Sequence, residues 1–234
     1  MKPKKFWNWV RDETTGERTL YLDGVISEDT WWGDEVTPAM FRSELFSGEG
    51  DITIWLNSPG GDCIAASQIY AMLMDYKGNA TIKIDGIAAS AASVVAMAGT
   101  KVLMAPTALM MVHNPLTIAI GDSEEMQKAM DMLVEVKESI INAYQIKTNQ
   151  SRVKISNWMD AETWMNANKA IELGFADGVL EDEKRAKPAE TYAFSRRAVT
   201  NSLLDKVKPK ATPEPAPRGV TAESLEKRLS LILH

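Results

Sequence analysis

Hydrophobic positions between residues 19 and 112 follow two periods in turn. "TLYLDGVIS" (19–27) reads as a short strand closed by Asp-Gly, and "DITIWLNS" (51–58) alternates apolar with polar before stopping at Pro59-Gly60-Gly61. "CIAASQIYAMLMDY" (63–76) changes to helical spacing, with Ile64, Ser67, Ile69, Met72 and Leu73 toward one side and Gly78 as the expected terminator. "ATIKIDG" (80–86) predicts another strand, residues 90–99 a helix of small side chains, and "KVLMAP" and "ALMMVHN" two further strands. Strands alternating with helices, with glycines near the junctions, predict an α/β fold built from parallel βαβ units.

Past "PLTIAIG" (115–121), residues 122–149 predict one long helix, capped by Asp122 or Ser123 and acidic in its first turn. Its apolar set covers more than one narrow stripe, which favours packing against another subunit over packing along its own core. Residues 151–180 predict a short helix, a turn, a second helix ended by Gly174, and a last strand in "FADGVL". Beyond 181 the chain is charged and proline-rich and predicts a flexible tail, with a short terminal helix capped by Thr221. The expected organisation is an N-terminal segment (1–18), one catalytic-sized domain (19–180) and the tail (181–234).

Charge sharpens this division. The 234 residues carry a net −6, yet residues 181–234 hold 11 Lys or Arg against 8 Asp or Glu, a local +3 that leaves −9 on residues 1–180. An acidic body is a poor match for a nucleic-acid footprint. Neither a signal peptide nor an apolar run of spanning length is apparent, and Cys63 is the single cysteine, so a cytoplasmic protein with no membrane partner is expected. His113 and His234 are the two histidines, and no ligand set for a metal forms around His113 and Cys63. No metal or cofactor is expected.

The chemistry therefore rests on few residues. "DGIAASAASVVAMAG" (85–99) holds two serines, Ser90 and Ser93. Ser90 falls at the strand-to-helix junction, where helix N-terminal amides favour negative charge. Ser93 lies a turn into the helix, where its hydroxyl can back-bond to a carbonyl. Closely packed small residues also explain the segment, but geometry prefers Ser90 as a nucleophile. His113 stands at a strand exit, where parallel sheets expose their functional edge. Gly60 and Gly61 close another strand and can turn an N–H toward a bound carbonyl.

"LNSPGGD" (56–62), "DGIAASAAS" (85–93), "MMVHNP" (110–115) and "AIELGFADGVL" (170–180) together resemble the ClpP protease family, and within it the phage and prophage head maturation proteases. The resemblance implies the ClpP/crotonase-like spiral of βαβ units with the long helix protruding as a handle. It implies Ser90 as nucleophile, His113 as general base, and the N–H groups of Gly61 and Ala91 as oxyanion hole. The orienting acid falls on Glu162, with Asp160 two residues earlier as the alternative. It further implies a ring-forming homo-oligomer acting on polypeptide, with phage capsid or scaffold protein as substrate. Residues 5–24 and 27–50, with Trp31 and Trp32, do not resemble the features by which housekeeping members dock a hexameric unfoldase, so that partner is not carried over. Two other readings remain at this point. A crotonase-like acyl-CoA enzyme would need a carboxylate at the active turn and an adenine pocket, neither of which is apparent; a non-catalytic scaffold subunit would have lost no local feature except a certain acid.

Overall fold

Strands β3 (Ile52–Ser58) and β4 (Ala80–Ala89) lie side by side in parallel at the centre of one eight-stranded sheet. The computed structural model describes residues 5–26 and 38–180, together with the helical residue Lys227. On one side of β3 come β2 (Arg18–Asp23), in parallel, and then β1 (Trp7–Arg11), antiparallel. On the far side of β4 come β5 (Lys101–Met104) and β8 (Gly178–Val179), both parallel. The α/β class and its parallel βαβ units are as the hydrophobic pattern predicts.

Isoleucines and leucines at alternate positions make the centre of the sheet. Ile54, Leu56, Ile82 and Ile84 are completely buried, and truncating any of them to alanine should cost about 2–5 kcal/mol. Helix α2 (Cys63–Asp75) begins at Asp62, whose carboxylate accepts the N–H groups of Ile64 and Ala65. It buries Ala65, Ala66, Ile69 and Leu73. Ile64, expected on that face, is instead exposed, because it sits in the first turn beside the cap. The helix ends at Tyr76 in an extended conformation, two residues before Gly78. Helix α3 (Ala91–Ala96) buries all six of its residues, which explains the absence of bulk there.

Three features depart from the expected pattern. Strand β4 continues past Gly86 to Ala89, so Gly86 makes no turn. Around Gly86 the strand changes neighbours: Thr81–Ile84 pair with β5, and Ile87–Ala89 pair in parallel with β6 (Leu109–Val112). A Cβ at Gly86 would meet the Asn57 carboxamide oxygen at 2.5 Å, at the register shift between β3 and β4. An unexpected strand, β7 (Thr163–Asn166), follows α5 (Arg152–Asp160) and pairs antiparallel with β6. Within the 27–50 stretch, α1 (Pro38–Leu45) forms, and its last carbonyls accept from the buried Arg18 guanidinium.

The long helix α4 (Ser123–Thr148) is capped by Asp122 rather than Ser123. Its second half buries Ile140, Ile141, Ala143 and Tyr144, whereas Met130, Met132 and Val134 in the first half are exposed. Helix α6 (Ala167–Leu173) ends at Gly174, whose φ is 87°. Trp31, Trp32, Thr221, His234 and the rest of the tail apart from Lys227 lie outside the described residues.

Candidate active site

The change of neighbours in β4 brings two chain exits together. Ala89 pairs with Met111, so Ser90 and His113 both leave the carboxyl ends of adjacent parallel strands. Ser90 adopts φ 55° and ψ −127°, a conformation rare for a residue with a side chain. It is fixed from both directions. Its N–H donates to the Met111 carbonyl at 3.0 Å, and its carbonyl accepts the Ser93 N–H at 2.9 Å and the Ser93 hydroxyl at 2.5 Å. The Ser90 hydroxyl does not cap α3, the ordinary task of a serine in this place. Instead, Ser90 Oγ lies 2.7 Å from His113 Nε2. Ser93 points the other way, buried and bonded to Tyr144 Oη at 2.8 Å.

The turn after β3 presses its backbone against this elbow. A Cβ on Gly60 (φ 100°) would fall 2.7 Å from Ser90 Cβ, and one on Gly61 (φ 143°) would fall 2.0 Å from the Ile26 carbonyl oxygen. No side chain fits in either place. The turn is held by Ser58 Oγ accepting the Gly60 N–H, by the Ile26 N–H donating to Gly60, and by the Asp62 N–H donating to Ile26. None of these bonds uses the N–H of Gly61, and Ala91 stands at the first position of α3, where no intrahelical acceptor exists. Among the described residues, these two amides, which the resemblance assigns to an oxyanion hole, have no hydrogen-bond acceptor.

The candidate acids are placed differently. The β6–β7 register pairs Val112 with Thr163, so the next pair along the ladder is His113 with Glu162. Glu162 does not complete that pair. Its φ of 47° turns the chain out of the ladder, and its carboxylate accepts the Trp164 indole N–H at 3.1 Å. Asp160 is also engaged elsewhere, by Lys137 Nζ at 2.6 Å and Asn114 Nδ2 at 2.9 Å. Lys137 first, and then Asn114, hold its carboxyl below the ordinary carboxylate range. Neither acid bonds His113 here. Asn114, Lys137 and the Ser93–Tyr144 pair are not marked as a site by the sequence; for Ser93 and Tyr144 a polar atom in an otherwise small or apolar set is the available signal.

The family model "Clp protease" matches residues 4–183. The ATP-dependent Clp protease proteolytic subunit of Ligilactobacillus salivarius (strain UCC118) is 29% identical over 190 residues, 76% of this chain and 96% of the relative. That of Carsonella ruddii (strain PV) is 30% identical over 166 residues, 70% of this chain and 84% of the relative. With a family match across most of its length and an α/β sheet of the corresponding kind, the chain belongs to the Clp protease family.

Proposed function

We propose that the chain is a serine endopeptidase working through an acyl-enzyme. The observation that carries this reading is the 2.7 Å contact between Ser90 Oγ and His113 Nε2 at a strained elbow. With the Ser90 hydroxyl donating, Nε2 is the unprotonated ring nitrogen and takes the proton as Oγ attacks the scissile carbonyl. The developing oxyanion is received by the N–H groups of Gly61 and Ala91, each worth about 3 kcal/mol of transition-state stabilisation. His113 then gives its proton to the leaving amine, and water repeats the sequence on the ester. No nucleotide enters these steps, so hydrolysis of short peptides proceeds without ATP. An ATPase would bear only on delivery of folded chains. A fluorophosphonate probe tests the assignment: the adduct should map to the peptide containing Ser90, and an adduct elsewhere would overturn it.

Glu162 is the orienting acid in this proposal, supported by its place opposite His113 in the β6–β7 register. To act it must leave the Trp164 indole. Glu162→Gln should lower kcat at neutral pH by about 10²-fold or more, with Asp160→Asn nearly neutral. The reverse result transfers the role to Asp160, and equal small effects remove it from both.

The chain assembles as a homo-oligomeric ring in which the first half of α4 meets other subunits. Exposed apolar side chains support this: Leu116, Ile118 and Ile120 before the helix, and Met130 and Val134 on it, each leave more than half of their surface in water, the kind of side chain that a subunit contact covers. Light scattering should give a particle many times 25.9 kDa. Leu133→Glu with Val134→Glu should split it or separate its rings; a monomeric, fully active parent would defeat the proposal. The substrate we propose is phage capsid or scaffold protein, on the resemblance to head maturation proteases. Processing of a co-expressed capsid precursor that is lost in Ser90→Ala is the decisive measurement, and an intact precursor beside active enzyme would reject it.

A further inference from the structure

A buried polar pair ties the long helix to the nucleophile elbow. Ser93 is wholly buried, and its hydroxyl touches two oxygens: the Ser90 carbonyl at 2.5 Å and Tyr144 Oη at 2.8 Å. Proton counting fixes the direction of both bonds. A carbonyl only accepts, so the single Ser93 proton goes to Ser90, and Tyr144 must donate to Ser93 Oγ. The result is a directed chain, Tyr144 O–H to Ser93 O–H to the Ser90 carbonyl, in which each bond polarises the next. Burial pushes the Tyr144 phenol far above its ordinary pKa, so the donor stays protonated. The Tyr144 ring is itself held edge-on against Phe175, with centroids 5.3 Å apart.

The end of this chain is a carbonyl whose peptide also carries the Ala91 N–H. Peptide units are planar and trans, so clamping the oxygen aims the N–H in the opposite direction. Two bonds from Ser93, one from its N–H and one from its hydroxyl, fix that oxygen and with it the direction of the Ala91 N–H. We propose that Ser93 and Tyr144 are positioning residues, a buried relay from α4 that holds the Ser90–Ala91 peptide with its N–H facing the oxyanion. This rests on the assignment of Ser90 as nucleophile and Ala91 as oxyanion donor.

The test separates positioning from stability by using three variants of the full chain, each measured for kcat, KM and melting temperature on a short peptide. Ser93→Ala strands the buried Tyr144 hydroxyl, so it should lower the melting temperature and reduce kcat about tenfold with KM unchanged. Tyr144→Phe should reduce kcat about two- to threefold, since Ser93 keeps its bond to Ser90. In Ser93→Ala/Tyr144→Phe no polar group is stranded. Its melting temperature should return toward the parent while kcat stays about tenfold low. A double variant with parental kcat, or a kcat that rises and falls with melting temperature across the series, would overturn the relay. Should Ser93→Ala alone fail to fold, the other two still decide. Ser90→Ala in the same assay separates the two levels. Activity near the parental level in Ser90→Ala would bring down the nucleophile assignment and the relay with it. An inactive Ser90→Ala beside a fully active double variant would reject the relay alone.

Discussion

Replacing Ser90 with glycine should abolish hydrolysis through the acyl-enzyme and raise the melting temperature. The backbone at φ 55°, ψ −127° costs a residue with a Cβ about 1–3 kcal/mol, and glycine adopts it without that strain. Against this stands the extra chain entropy that glycine loses on folding, about 0.5–1 kcal/mol. The serine side chain returns little stability of its own, since it caps nothing and its hydroxyl bonds only the half-buried His113. The balance favours glycine by about 1 kcal/mol, or a few degrees for a domain of this size. Ser90→Ala keeps the Cβ and therefore the strain, so it should be equally inactive without the gain. Calorimetry of the two variants beside the parent, with peptide hydrolysis from the same preparations, decides the matter. Activity in either variant above the residue left by the oxyanion donors and substrate binding, or an acyl-enzyme formed by either, would place the nucleophile elsewhere. A glycine variant no more stable than the alanine variant would mean that the elbow is not strained.

That strain marks the boundary of what the sequence makes legible. The strands at 51–58 and 80–86 follow from alternating isoleucines, and the segment 85–99 had to be either tight packing or a nucleophile turn. The tight packing is plain in α3, buried throughout, and Ser90 stands immediately before it in a strained turn, as the second reading requires. Ser90 was legible because a strand ends where small residues begin. The three residues by which β4 outruns Gly86 were not, because they pair with β6, twenty-two residues on, and only tertiary register decides that. Strand β7 was missed for the same reason: four residues without marked alternation become a strand by lying beside β6. Glu162 could be located by position, but its orientation depends on a positive φ and on an indole two residues later. Tyr144 counted simply as one more large residue in a helical apolar set. Its hydroxyl acquires meaning only when Ser93 is found opposite, fifty-one residues away in the chain.

His113→Ala should leave the fold intact and lower the rate of acylation on the order of 10⁴–10⁶-fold. The fold is spared because His113 follows β6 rather than lying in its ladder, and its ring is bonded to Ser90 Oγ, not to the core. The rate falls because a serine hydroxyl is a weak nucleophile until a base within 2.6–3.2 Å can take its proton, and this contact is 2.7 Å. Because the two residues act as one unit, their effects should not add. Ser90→Ala/His113→Ala should hydrolyse peptide no more slowly than either single variant, the remainder coming from Gly61, Ala91 and substrate binding alone. Single-turnover kinetics on the three variants tests this directly. Acylation of His113→Ala at the parental rate would remove the histidine from the mechanism. A double variant slower than both singles by the product of their effects would show two independent contributions. In that case the 2.7 Å contact would be a structural hydrogen bond at a strand exit, and the base would have to be sought among the groups that can reach Ser90 from a neighbouring subunit.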